Sequence, residues 1–113
     1  MTCIFCKVIS GEAPGTILYR DELVTAFRDI HPIAATHILI VPNRHIESVN
    51  DLEHADAALV AHLVLTAKRL AAQEGVAESG YRLIMNTGRD GGQSVFHLHL
   101  HLIAGKRARF TLG

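Results

Sequence analysis

Apolar positions along this chain follow several rhythms, and each rhythm predicts an element. Residues 16–20 and 23–29 are short strand-like runs on either side of Asp21-Glu22, which predicts a β-hairpin. His37-Ile38-Leu39-Ile40-Val41 is a continuous apolar run stopped by Pro42 and predicts a third strand. From about residue 55 to 74 the period changes: Leu59, Leu63, Ala67 and Leu70 recur at helical spacing, and Val60, Val64 and Ala71 widen that stripe. Gly75 stands where a left-handed residue would close the helix. His62, Arg69 and Gln73 fall on its polar side, so His62 reads as a surface residue. Residues 81–87 and 95–103 are again strand-like, separated by Gly88-Arg89-Asp90-Gly91-Gly92-Gln93-Ser94. Strands, one substantial helix, then strands, all joined by short connections, predict an α+β fold with an antiparallel sheet rather than a doubly wound parallel one.

Size and charge narrow the picture. A chain of 113 residues with 49% hydrophobic residues suits one domain, 1–113, with a packed core. Eleven basic and eleven acidic residues leave no net charge, which argues against a nucleic-acid partner, since that binding needs a concentrated basic surface. The small basic group Lys106, Arg107 and Arg109 reads as a solvated tail. No apolar run approaches the ~18 residues of a membrane helix. The chain opens directly on Cys3-Ile4-Phe5-Cys6 without a signal-peptide pattern, so a cytoplasmic protein with reduced cysteines is expected.

The densest chemistry lies in His97-Leu98-His99-Leu100-His101-Leu102-Ile103. On a strand, the leucines would turn inward and the imidazoles would share the opposite face. Same-face residues sit roughly 7 Å apart, so the triplet spans about 13 Å, too far for one flat strand to bring all three rings to one metal. A row of groups that titrate near neutrality is better suited to a reaction surface.

The loop immediately before that strand suggests what reacts there. Glycines at 88, 91 and 92 let successive backbone N–H groups turn toward an anion, with Ser94 and Asn86 adding polar side chains. No Gly-Lys-Ser/Thr follows and a strand comes next, so this is not a P-loop. Phosphate beside imidazole points to nucleophilic catalysis, in which a neutral ring nitrogen attacks phosphorus and splits one displacement into two. The attacking nitrogen needs its lone pair, so the other must be tied to an acceptor. His99 is central in the row. His37 is either an orienting partner or an ordinary strand-end histidine.

Cys3-x-x-Cys6 is the second constellation. No βαβ pattern surrounds it as a redox pair would require. As half of a zinc shell it needs two more ligands, and His45 plus one member of the histidine strand are available. The alternative is a pair of unligated buried thiols.

These motifs resemble the histidine triad (HIT) superfamily, whose signature is His-x-His-x-His followed by apolar residues. Asn86-x-Gly88, Gly92-Gln93-Ser94 and His97-x-His99-x-His101 keep the family's order and spacing, as do Phe27-Arg28-Asp29-Ile30 and Thr36-His37-Ile38-Leu39-Ile40-Val41-Pro42 upstream. The chain resembles the Hint-like branch, in particular bacterial-type members that begin Cys-Ile-Phe-Cys. The resemblance implies about five antiparallel strands, one main helix, a short N-terminal helix, and a homodimer. It implies a purine nucleotide with its α-phosphate over the triad, His99 as the nucleophile, and His101 and Ser94 on the phosphate. Gly92 and Gln93 would shape the loop beside Asn86, Asp29 would accept from the ribose hydroxyls, and Phe5, Phe27 and Ile30 would line the base pocket. It further implies structural zinc on Cys3, Cys6, His45 and His97, which would divide the triad between metal and chemistry. The tail departs from eukaryotic members, which carry a tryptophan there; here Phe110 is the nearest aromatic residue.

The expected activity is hydrolysis of a purine nucleoside phosphoramidate to a nucleoside monophosphate through a nucleotidyl-histidine. Two alternatives are a dinucleoside polyphosphate hydrolase sharing that intermediate and a nucleotide-binding or scaffolding module with little turnover.

Overall fold

The strand pairing around residues 36–42 organises everything else. The computed structural model describes residues 3–105, so Lys106, Arg107, Arg109 and Phe110 lie outside the described residues. Helix α1 (Ile4–Ser10) leads into strands β1 (Ile17–Arg20), β2 (Val24–Arg28) and β3 (Thr36–Pro42). Two single 3₁₀ turns then precede helix α2 (Ala57–Gln73), which is followed by β4 (Tyr81–Ile84) and β5 (Leu100–Ala104). The strands form one sheet in the order β1-β2-β3-β5-β4, with every neighbouring pair antiparallel.

All seven residues of β3 are buried, which explains why that run shows no alternation in sequence. Its two faces serve different cores. Ile38 and Ile40 join Val24, Ala26, Leu98, Leu100, Leu102 and the buried side of α2. Leu39 and Val41 join Phe27 and the residues Phe5 and Val8 of α1. The helices therefore cover opposite faces of the sheet, and the alternation of β5 decides which face receives its histidine. Leu39 pairs with His101 and His37 with Ile103, placing both histidines on the α1 face.

The hairpin forms where expected. Asp21 closes it by accepting from the N–H groups of Leu23 at 2.8 Å and Val24 at 2.9 Å. Helix α2 ends as its sequence implies: Gly75 is left-handed at φ 75°, and the Val76 N–H reaches back to the Ala71 carbonyl at 3.0 Å.

Three expectations need correction. His62 is not a free surface residue; its Nε2 lies 2.6 Å from Asp21 Oδ2, pinning α2 to the hairpin turn. Burial works against the Asp21 carboxylate, but the Tyr19 hydroxyl, the Val24 and Leu23 amides and His62 outweigh it and hold its pKa far below the usual range. Val64 leaves the buried stripe and is 43% exposed, while Thr66 takes a place in it. The last two strands are also shorter than their periodicity suggests: β4 stops at Ile84, and β5 begins only at Leu100. Before Leu100 the backbone bonds elsewhere, with the Leu98 N–H donating to the Ile46 carbonyl at 2.6 Å.

Leu102 is fully buried at the centre of the larger core. Leu102→Ala should lower unfolding free energy by about 3 kcal/mol, measured by urea denaturation with an unchanged slope.

Candidate functional site

Five histidines and two cysteines line the α1 side of β3 from His37 at its start to Pro42 at its end, and backbone groups decide what each ring can do. A carbonyl oxygen only accepts, so any ring nitrogen bonded to one must carry the proton. His99 Nδ1 lies 2.7 Å from the His97 carbonyl oxygen, so Nδ1 holds the hydrogen and Nε2 keeps a lone pair. His97 Nε2 lies 2.8 Å from the Pro42 carbonyl oxygen, which leaves its Nδ1 as the free base.

A second chain of bonds runs the opposite way. The Ile33 N–H donates to His37 Nδ1 at 3.2 Å, so the proton of His37 sits on Nε2. That nitrogen faces His101 Nδ1 at 3.0 Å and Asp29 Oδ2 at 3.4 Å. His101 thus accepts at Nδ1 and carries its own proton on Nε2. Of the two readings open in the sequence, this bond to His101 is the geometry that an orienting partner would have. Neighbouring rings 99 and 101, with centroids 4.9 Å apart, consequently offer a lone pair and an N–H respectively.

Burial reinforces this neutrality. His97 and His99 are buried, and His101 is half-buried. Desolvation lowers the pKa of His99 against the opposing pull of the His97 carbonyl and Asp29. Desolvation, then the charges of His99 and His37, push His101 down to about 4. The row of imidazoles is therefore largely enclosed rather than displayed on an open strand face.

Residues 88–94 form a loop fastened from within. The Gly88 N–H donates to Gln93 Oε1 at 2.8 Å, and Gln93 Nε2 donates to the carbonyls of Glu47 at 2.7 Å and Val95 at 3.0 Å. Gln93 is buried and fully occupied by these bonds, so it shapes the loop. Gly92 has φ 84°, and a Cβ on Gly91 would collide with the Thr87 carbonyl. Ser94 is exposed, and Asn86 is half-buried at the other end of the loop. The proposed base-pocket residues separate. Phe5 and Phe27 pack edge to face at 5.4 Å, with Phe5 also 5.0 Å from the His99 ring, whereas Ile30 stands 78% exposed beyond β2. Asp29 Oδ1 accepts from the His31 N–H at 2.8 Å, which fixes its carboxylate beside His37.

Cys3, Cys6, His45 and His97 converge on one point. Their donor atoms all lie within 4.8 Å of one another, and His97 Nδ1 is 3.4 Å from Cys3 Sγ, 3.5 Å from Cys6 Sγ and 3.2 Å from His45 Nδ1. Tetrahedral zinc with bonds of 2.0–2.3 Å separates its ligands by about 3.3–3.8 Å. The free base at His97 Nδ1 faces the thiols, as a ligand must, so the set fits zinc. Cys3 also caps α1, its Sγ accepting from the Cys6 N–H at 3.3 Å. Burial, then the neighbouring Cys3 thiol, raise the pKa of Cys6.

The orienting groups that sequence reasoning missed are the Ile33 amide and the Pro42 and Glu47 carbonyls. Main-chain groups have no residue signature, so no pattern along the chain could have marked them.

The family model described as HIT domain matches residues 10–108. The chain is 53% identical over 103 residues to the purine nucleoside phosphoramidase of Escherichia coli K12, covering 91% of this chain and 87% of that one. A HIT family hydrolase from Legionella pneumophila superposes with a TM-score of 0.95 at 46% identity, covering 99% of this chain and 100% of the other. A zinc-bound histidine triad family protein from Mycobacterium smegmatis gives a TM-score of 0.83 at 32% identity, covering 96% and 78% respectively.

His101 supplies a pH prediction. With its pKa near 4 in the fold and about 6.5 unfolded, the unfolded chain takes up a proton between those values that the folded one refuses. Its contribution to stability is complete above pH ~6.5 and declines as the pH falls toward 4. An NMR titration should find the His101 ring neutral down to pH ~5; protonation with a midpoint near 6.5 would refute the assignment.

Proposed function

The chain belongs to the HIT domain family, and from that premise we propose that it hydrolyses purine nucleoside phosphoramidates to a nucleoside monophosphate and a free amine. The observation that carries the reading is the 2.7 Å bond between His99 Nδ1 and the His97 carbonyl, which leaves Nε2 as a neutral nucleophile. The 53% identity to a purine nucleoside phosphoramidase supplies the substrate class.

In the first step His99 Nε2 bonds to the α-phosphorus and the P–N bond breaks. Its electron pair stays on nitrogen, which takes up a proton at the polar edge formed by Ser94 and His101. Loop N–H groups, the Ser94 hydroxyl and the His101 Nε2–H stabilise the charge that develops on the phosphoryl oxygens. In the second step water attacks phosphorus, one proton is released, and the P–Nε2 pair returns to His99. One proton enters and one leaves, so the net reaction consumes only water. His37 acts through His101 by fixing its tautomer, with Asp29 behind it. Asp29 also accepts from the ribose hydroxyls, Phe5, Phe27 and Ile30 bound the base, and Gly92, Gln93 and Asn86 hold the loop.

Zinc on Cys3, Cys6, His45 and His97 would be structural, since four protein ligands leave no open position. When bound it would supply a rigid tie between α1 and the segment that carries His99 into β5. The His97 bond to Pro42 orients the ligand from behind. A homodimer is supported by the open edge of β4 and by Val64 and Leu65, which are 43% and 58% exposed on α2. Reduced cysteines and the absence, among the described residues, of a helix fit to cross a membrane accord with a cytoplasmic protein.

His99→Asn should lower kcat by at least about 10³-fold while nucleoside monophosphate affinity changes little. Mass spectrometry of wild-type protein quenched during turnover should find a nucleotidyl adduct on His99; full activity in the variant would remove His99 from its role. For the metal, protein purified after zinc-replete expression should carry one zinc per chain. The Cys3→Ser, Cys6→Ser double variant should carry none and melt at a lower temperature. Substoichiometric zinc in the wild type would refute the site.

A further inference from the structure

A cluster of polar bonds just past the end of β3 takes no part in the chemistry above, and Asn43 is its centre. The Asn43 main-chain N–H donates to the Leu23 carbonyl at 2.8 Å, and its Nδ2 donates to the Asp21 carbonyl at 2.9 Å. Its Oδ1 accepts from the Thr25 hydroxyl at 2.6 Å. A carbonyl only accepts, so the bond to Asp21 fixes which way the amide of Asn43 faces. Thr25 is fully buried in β2. Asp21 is itself held by the Tyr19 hydroxyl at 2.7 Å and by His62 of α2 at 2.6 Å. The hairpin, β2 and, through Asp21, α2 thus converge on one half-buried asparagine.

Its place in the chain joins this cluster to the thiols. The Asn43 N–H and the Pro42 carbonyl belong to one planar trans peptide unit, so holding the N–H against Leu23 aims the carbonyl the opposite way. The β3–β5 ladder ends at Ile40 and Leu100; continued by two residues, it would set Pro42 against Leu98. Leu98 donates to the Ile46 carbonyl instead, and the Pro42 carbonyl accepts from His97 Nε2 at 2.8 Å. That bond leaves the His97 Nδ1 lone pair facing Cys3 and Cys6. His45, the remaining member of the Cys/His cluster, follows two residues after Asn43.

We propose that Asn43 is a positioning residue for the Cys/His cluster. By pinning the peptide after Pro42 to the β1–β2 hairpin, it aims the Pro42 carbonyl at His97 and so presents the Nδ1 lone pair to the metal. This rests on the zinc reading given above. Asn43 touches neither metal nor substrate. Without its side chain the peptide plane is free to turn about its flanking bonds, and the His97 Nε2–H loses a fixed acceptor. The other tautomer, with the proton on Nδ1, then competes, and a protonated nitrogen cannot ligate.

The test is chelator competition on the zinc-loaded full chain. Asn43→Ala should hold zinc about tenfold more weakly than the wild type, the lower end of what disturbing a ligand's outer hydrogen bond costs. Thr25→Val keeps the side-chain shape but gives Asn43 Oδ1 no donor, so it should weaken zinc in the same direction. Thr25→Ser should restore wild-type affinity. In the zinc-loaded wild type the His97 Nε2–H should give a slowly exchanging NMR signal, which Asn43→Ala should broaden or abolish. If Asn43→Ala fails to fold, Thr25→Val decides by the same two readouts. Unchanged zinc affinity, or a His97 Nε2–H signal left intact, would overturn the positioning role while leaving the zinc shell in place. Wild-type protein that carries no zinc would overturn both. Neither readout involves turnover, so the hydrolase reading stands or falls separately.

Discussion

A carbonyl oxygen cannot donate a hydrogen bond, and that one-sidedness sorts the histidines of this protein into their roles. The Pro42 carbonyl takes the proton-bearing nitrogen of His97 and turns its lone pair toward the two thiols. The His97 carbonyl takes the proton-bearing nitrogen of His99 and leaves Nε2 with its lone pair. The Ile33 amide, a donor, occupies the Nδ1 lone pair of His37 and so puts its proton on Nε2; through that N–H, His101 takes the same tautomer, opposite to that of His99. Three chemically identical side chains two residues apart thus differ in what they present: a lone pair toward the thiols at His97, a free Nε2 at His99 and an N–H at His101.

The fold makes these bonds possible by using β3 twice. Its alternate residues build two cores, which forces β5 to present leucines to α2 and histidines toward α1. Its final carbonyl then serves the metal side. Because the histidines are packed rather than displayed, desolvation favours the neutral ring at His99 and His101, the state an attacking imidazole would need. Stability and reactivity therefore point the same way at this site. Opposition between them is met instead at Asp21, where four hydrogen bonds overcome the cost of burying a carboxylate.

The N-terminal helix links the two halves of the site. Cys3 caps it, Cys3 and Cys6 anchor it to His97, and Phe5 lays its ring edge-on to His99. A seven-residue helix has little stability of its own in water, so packing and the thiol cluster must hold it. The same helix carries Lys7, which lines a cavity together with Cys3, His45 and Ser94. The Cys/His cluster and the ring of His99 are consequently both tied to one short element.

Much of this was legible along the chain. The alternation at 97–103 determined which side chains would face the core, because a strand has a period of two whatever surrounds it. The glycines of residues 88–94 determined a loop free to adopt left-handed backbone, and Gly75 determined where α2 would stop, since both follow from local sterics. The spacing of Cys3 and Cys6 marked two of the four members of the Cys/His cluster. Tertiary structure alone decided the rest. It set His37 against His101, began β5 only at Leu100, buried Thr66 instead of Val64 and drew His62 onto Asp21. Each of those outcomes depends on a partner distant in sequence, often a main-chain oxygen or amide. Periodicity records which face a residue occupies, but a hydrogen bond is settled only when two remote segments arrive within 3 Å of each other.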